Sequence, residues 1–415
     1  MSASAEAPGA DGAPGGGGAP ARRLGVISVG DPRHPHTWSG CPAPLVAQLE
    51  SQGVEVVGID AGTPGNRRLP WLLRYHVRRW WHSPLAAKVD VALQRTLLSR
   101  GYRADFHWDL ALREHRARDA VAAVRAAGVD TVVHMTANAL SSAPQPGLRQ
   151  VAYVDATWAS QTGHRLPGGP GRYPEALVAE GGAHEREAYS HLDHVFTMGE
   201  WLIDVVADLG VPRARITNVG TGLRNRDTDL GHEPEPHRML LVAKDMEVER
   251  GLPAAVEALR IARRREPDLV LVLVGDPRYA ERFGGKPGVE AHTFLSPQEM
   301  DAQLDRASLL VNPSTYQTWG QINIEAMNAR TPVLALDRFA IPEITEGGRL
   351  GFVVAELDPE QIAEAMLKAF ADPVALLALG EQGRASVRAR YAWEDFAASV
   401  LAVLEGDPTA SRSPA

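Results

Sequence analysis

The sequence predicts an α/β chain built as two lobes, each a parallel sheet covered by helices on both faces. Three observations lead there. The strand-like segments are near-continuous apolar runs, LVLVLVG (269–275) among them, without the polar alternation of a half-exposed strand. They alternate with helix-length segments, which calls for right-handed βαβ units. The alternation comes in two successive series, and 415 residues exceed one ordinary hydrophobic core.

Ordered chain is expected from Leu24, with residues 1–23 a Gly-, Ala- and Pro-rich disordered tail. LGVISVG (24–30) reads as the first strand, PLVAQLESQG (44–53) as a helix closed by Gly53, and VEVVGID (54–60) as the second strand. Helix-like stretches follow, the clearest being SPLAAKVDVALQRTLLSRG (83–101) and ARDAVAAVRAAG (117–128). VDTVVHM (129–135), RQVAYVDA (149–156) and DHVFTM (193–198) resume the strand pattern, with helices near 180–192 and 200–209. Glu200 reads as a cap of the second of these.

The series restarts with ARITNVGTG (214–222), a polar connector over 223–236 and the strand RMLLVAK (238–244). Helix 252–265, strand 269–275, helix 297–306, strand 308–313, helix 320–329 and strand 331–337 follow. The expected division is an N-terminal acceptor domain over 24–214 and a C-terminal nucleotide-sugar domain over 215–390. A closing helix over 391–408 and a tail over 409–415 complete it. Ligands of open α/β sheets bind beyond the carboxyl ends of strands, so the facing strand ends should form a central cleft.

Composition narrows the function. A net charge of -8 argues against nucleic acid as a partner. Cys41 is the one cysteine, which excludes a disulfide framework and a cysteine-cluster metal site. No apolar run reaches the ~20 residues of a membrane span, and the N-terminus lacks an apolar signal region, so the cytoplasm is the expected location. RRLPWLLRYHVRRWWH (67–82) interleaves basic residues with Trp71, Trp80 and Trp81. That pattern fits peripheral membrane contact or an anionic acceptor, or else a surface helix whose indoles pack on the first lobe.

Two constellations carry chemistry. In NPSTYQTWGQINIEAMNARTPVLALD (312–337), a strand ends in Pro-Ser, a loop follows and Gly320 opens a helix. The amides at that helix start suit an anion or sugar hydroxyls, and Glu325, a turn and a half in, suits a vicinal diol. Alone, the stretch would equally be an ordinary helix with one exposed Glu. In LLVAKDMEVERGLPAAVEAL (240–259), Lys244 ends a strand and Arg250 precedes Gly251 and a helix. Two cations so placed would clamp a diphosphate, although such a pair is also common on solvated surface.

These stretches resemble the signature of family 4 retaining glycosyltransferases, P-S-x-x-E-x-x-G-x-x-x-x-E-A-M-A-x-G-x-P-V. Pro313, Ser314, Gly320, Glu325, Ala326, Met327, Pro332 and Val333 match. Gln317 stands for the first Glu and Arg330 for a Gly. The family pattern V-G-R…E-K-G is matched with its cations exchanged, by Lys244 and Arg250. NVGTG (218–222) corresponds to the glycine loop opening the second lobe, GVEAHTFLSPQEM (288–300) to the base-cupping segment, and RYAWEDFAASVL (390–401) to the closing helix.

The resemblance implies the GT-B fold, two Rossmann-like lobes facing a central cleft, and hexosyl transfer from a nucleoside diphosphate sugar to an acceptor hydroxyl with retained configuration. It places donor contacts at Gly40, Gly220, Thr221, Lys244, Arg250, His292, Thr293, Gln317, Gly320, Gln321 and Glu325. It makes Lys244, Arg250, His134 and Gln317 the catalytic set, with Thr136 a rival for His134. Glu325 would bind ribose and Gln317 the sugar hydroxyls. His34, His36 and Trp38 fall on a loop expected to line the acceptor pocket. Two histidines there lack a third ligand at diagnostic spacing, so no metal or other cofactor is expected. Asp155 would contact the acceptor nucleophile or cap a helix. Exchanging a charged for a neutral hydrogen bond at Gln317 costs about 1 kcal/mol, which leaves the fold untouched and bears on donor choice and rate. Uridine carrying glucose or N-acetylglucosamine is the expected donor. The acceptor is expected to be a small natural product, an aminocyclitol or an envelope glycan. The alternatives are a phosphorylase or pseudo-glycosyltransferase of the same fold, or a protein that binds a sugar nucleotide without transfer.

Overall fold

The computed structural model describes residues 22–62, 110–163, 175–224, 231–243 and 249–406. The expected tails, the helix at 83–101, the basic and aromatic stretch 67–82 and Lys244 lie partly or wholly outside the described residues.

The N-terminal lobe contains β1 (Arg23–Ser28), α1 (Pro42–Ser51), β2 (Glu55–Asp60), α2 (Leu110–Ala126), β3 (Thr131–Met135) and β4 (Arg149–Val154). It continues with α3 (Trp158–Gly163), α4 (Glu175–Ser190), β5 (His194–Thr197), α5 (Trp201–Asp208) and β6 (Ile216–Asn218). All six strands are parallel, in the order β2-β1-β3-β4-β5-β6. The C-terminal lobe contains β7 (Arg238–Ala243), α6 (Leu252–Ala262), β8 (Val270–Gly275), α7 (Pro277–Phe283), β9 (Val289–His292) and α8 (Pro297–Arg306). Then come β10 (Leu309–Asn312), α9 (Gln321–Asn328), β11 (Val333–Leu336), α10 (Ile341–Ile344), β12 (Gly351–Val354), α11 (Pro359–Phe370), α12 (Pro373–Arg390) and α13 (Trp393–Glu405). Its order is β12-β11-β10-β7-β8-β9, again all parallel. The chain is thus a GT-B fold, with two Rossmann-like sheets.

Both sheet orders reverse direction once, and the reversal is where an open sheet leaves a crevice. In the C-terminal lobe it falls between β7 and β10, in the N-terminal lobe between β1 and β3. The crevices therefore receive residues 249–251 and the 313–320 loop on one side, and the 29–41 loop on the other.

Two local outcomes differ from the sequence reading. The strand Ile216–Asn218, beyond the expected boundary at 214, is the edge strand of the first sheet, paired with β5. α2, described from Leu110, takes in residues ahead of the expected 117–128 helix, and its turns there bury Arg113 and Arg116 where an apolar stripe would normally lie. Arg113 donates to the Ala137 carbonyl (2.6 Å) and pairs with Glu185 (3.4 Å), both side chains fully buried.

α13 returns to the first lobe. Arg149 of β4 donates to the carbonyls of Leu404 (2.5 Å) and Val403 (3.0 Å), and Phe396 packs on Tyr153 with ring centroids 4.4 Å apart. One buried cluster consequently runs from Leu24 and Tyr153 through Trp393 and Phe396 to Leu310 and Ile324. Among the described residues no helix is long and apolar enough to cross a membrane.

Candidate active site

The C-terminal crevice is assembled by two loops joined along their backbones. The Glu249 carbonyl accepts the Thr315 amide (2.8 Å) and the Ser314 hydroxyl (3.1 Å), which draws Arg250 against the 313–317 loop. Arg250 reaches the Tyr316 carbonyl at 3.5 Å. Gly251 makes this approach possible. Its φ is 72°, and a Cβ there would lie 2.4 Å from the Pro313 carbonyl oxygen. Gly320 has the same role at the other end of the loop. Its φ is 83°, and an added Cβ would meet the amides of Asn323 (2.4 Å) and Gln317 (2.7 Å).

Gln317 is held by neutral neighbours. Asn312 at the end of β10 donates to Gln317 Oε1 (2.5 Å) and to Asn323 Oδ1 (2.7 Å). Glu325 is buried on α9 and carries a partner that the sequence reading missed. Arg224 donates from Nε to Glu325 Oε1 (2.9 Å) and from Nη2 to Oε2 (3.2 Å). Its Nη2 also reaches Asp301 on α8 at 2.7 Å. A side-on guanidinium fixes the carboxylate plane through two hydrogen bonds. Arg224 sits in a polar stretch that reads as a connector, so nothing local marked it.

The glycine loop forms the seam between lobes. Gly220 gives its carbonyl to the Tyr153 hydroxyl (2.7 Å) and its amide to Asn218 Oδ1 (3.0 Å). Thr221 is buried. Gln321 Nε2 donates to the Gly222 carbonyl (3.0 Å), tying the start of α9 to this loop. His292 ends β9 and is half-buried; Thr293, one residue on, is exposed.

From the first lobe, Gly40 closes a turn in which Trp38 and Ser39 take φ of 41° and 57°. Trp38 lies edge-on to Tyr153, with centroids 5.4 Å apart. His34 and His36 are exposed, their rings 5.4 Å apart. Among the described residues no group of three or more His, Cys, Asp or Glu could hold a metal.

His134 lies within its strand. It is the fourth of the five residues of β3, 1% exposed, and its Nε2 is 3.1 Å from Gln150 Oε1 on β4. Burial lowers its pKa to about 4, so it is neutral and interior. Thr136, at the strand end, is the group left partly exposed there, with a φ of 83°. Asp155 follows β4 and does not cap α3; Thr157 and Ser160 do that reciprocally, at 2.9 and 3.2 Å. Its carboxylate instead accepts the Thr318 hydroxyl of the opposite lobe at 3.3 Å. Burial pushes its pKa up to about 6. Glu200 makes no side-chain cap on α5; its amide donates to Glu343 Oε2 of the other lobe (2.7 Å).

The candidate site is thus a crevice at the sheet reversal lined by Arg250, the start of α9 and the buried carboxylate of Glu325. Residues 237–372 match the family model for glycosyl transferases group 1, and the C-terminal lobe carries that domain. A lipopolysaccharide core biosynthesis mannosyltransferase, LpcC of Rhizobium leguminosarum bv. viciae, is 39% identical over 98 residues, 24% of this chain and 28% of the relative. The chain spans about half the length, or less, of the first curated relatives it matches. Among solved structures, the sucrose-phosphate synthase of Thermosynechococcus elongatus superposes with a TM-score of 0.64 at 16% identity, covering 94% of this chain and 100% of that one. Anabaena HepE in complex with UDP and glucose gives 0.57 at 11% identity, covering 93% and 99%. These structural likenesses establish the GT-B fold.

Proposed function

We propose that the chain is a retaining glycosyltransferase that moves a hexosyl group, of the UDP-glucose or UDP-N-acetylglucosamine type, to an acceptor hydroxyl in the cytoplasm. The observation that carries this is the joining of Arg250, the 313–320 loop and Glu325 at the one reversal of the C-terminal sheet. Arg250, together with Lys244, would hold the diphosphate through charge-assisted bonds. Glu325, oriented by Arg224, would take the ribose diol. Backbone near His292 and Thr293 would read the base, and Gln317 the sugar hydroxyls. Gly40, Gly220, Gly320 and Gln321 would complete the donor side.

Transfer then rests on positioning and on stabilising the charge of the departing diphosphate, which also takes the proton of the acceptor hydroxyl. No metal or other cofactor is required. His34, His36 and Trp38 would face an acceptor that is a small natural product, an aminocyclitol or a glycan. HepE, seen with UDP and glucose, supports the uridine reading of the donor. The mannosyltransferase relative favours mannose as a second reading of the transferred group.

The test is a thermal-shift screen against UDP-, GDP-, ADP- and dTDP-sugars, followed by release of nucleoside diphosphate from the donor that binds. One donor class should stabilise the protein and be cleaved. Cleavage that needs inorganic phosphate would point to a phosphorylase, and binding without cleavage to a non-catalytic protein.

A further inference from the structure

Charge at the sugar side of the cleft has an unexpected distribution. Breaking the bond between an anomeric carbon and a diphosphate oxygen leaves positive charge on the ring, which an adjacent anion stabilises. The loop PSTYQTWG (313–320) contains no acidic residue, and the Gln317 amide is bonded to neutral Asn312. Glu325, one turn into α9, is already paired with Arg224. Among the described residues, a carboxylate of the other lobe reaches this loop. Asp155, just past β4, accepts the hydroxyl of Thr318, the residue after Gln317 (3.3 Å). The same residue is gripped a second time, for Trp201 of α5 donates its indole N–H to the Thr318 carbonyl at 3.0 Å. The first lobe thus holds both the hydroxyl and the carbonyl of Thr318, the neighbour of Gln317 in the chain.

We propose that Asp155 supplies, from the N-terminal lobe, the anionic group of the sugar site that residue 317 does not provide. This deepens the proposed function and rests on it. In the step, the anomeric carbon–oxygen bond breaks with its electron pair going to the diphosphate. The acceptor oxygen forms the new bond, and its proton passes to a diphosphate oxygen. Asp155 stays ionised and exchanges no atom. It must therefore be deprotonated, and its pKa of about 6 makes turnover fall as pH drops through 6. The other titratable groups bearing on it do not ionise there. Burial raises the Cys41 thiol to about 12 and lifts the phenols of Tyr153 and Tyr189 well above their usual range. Glu343 at the lobe seam, pushed up to about 7, is the group whose limb must be told apart.

The experiment follows nucleoside diphosphate release, with water as acceptor, from whichever of the four nucleotide sugars stabilises the wild type. It compares pH 4.5–8.5 profiles of wild type, Asp155→Asn, Thr318→Val and Gln317→Glu/Asp155→Asn. Asp155→Asn should bind the bare nucleoside diphosphate within twofold of wild type, lose at least 30-fold in turnover and lose the acid limb near pH 6. Thr318→Val removes a bond that lowers the Asp155 pKa, so its limb should move to higher pH, which mere loosening of structure would not do. The double variant should regain at least fivefold over Asp155→Asn. If Asp155→Asn turns over within threefold of wild type and keeps the limb, the inference is overturned while the proposed function stands. A wild type that fails to bind or to cleave any of the four overturns the proposed function, and the inference with it.

Discussion

Arg224 and Glu325 show how one side chain depends on another 101 positions away. Glu325 was legible from its place in a helix that begins at a strand-end loop. Arg224 was not, because its context is polar and its partners, Glu325 and Asp301, lie on two later helices. Arg224→Ala would leave two partly buried carboxylates facing each other without their cation. The expected loss is about 1–3 kcal/mol of stability, read as a lowered denaturant midpoint, together with weaker nucleotide binding. Arg224→Lys should recover the charge but only part of the affinity, since an ammonium cannot span both oxygens. That His134 is interior was hidden for a simpler reason. A strand covered on both faces buries every residue, so a polar residue near its end gives no sign of whether it lies inside or beyond it.

At the scale of elements, the alternation of buried strands and helices was legible almost throughout, because parallel sheets demand it. The loops were legible only where glycine marks them. Gly251 is the clearest case, with a positive φ and the Pro313 carbonyl against its α-carbon. Gly251→Ala should cost about 1–3 kcal/mol from the strained backbone and separate the two loops of the crevice. A parallel drop in melting temperature and nucleotide affinity would check it. The early turns of α2 escaped the sequence because Arg113 and Arg116 fill core positions there, with Arg113 bonded to Glu185 and the Ala137 carbonyl.

At the scale of the molecule, the two lobes meet through polar contacts that no sequence pattern announces. Glu343 of α10 accepts the Glu200 amide at the start of α5, and burial raises its pKa to about 7. Its folded pKa lies above its unfolded value of 4.5, so folding favours the protonated form. That stability is complete below about pH 4.5 and is lost as pH rises through 7. Glu343→Gln should flatten this loss, by on the order of 1–3 kcal/mol between pH 5 and 8, in urea titrations across that range.

The central claim is that the crevice between β7 and β10 holds a nucleoside diphosphate sugar through Arg250 and Glu325. Calorimetric titration of the stabilising nucleotide into wild type, Arg250→Ala and Glu325→Ala tests it most directly. The account predicts one site per chain in the wild type, with affinity reduced at least tenfold, about 1.4 kcal/mol, in each variant. Unchanged affinity in both variants would contradict it.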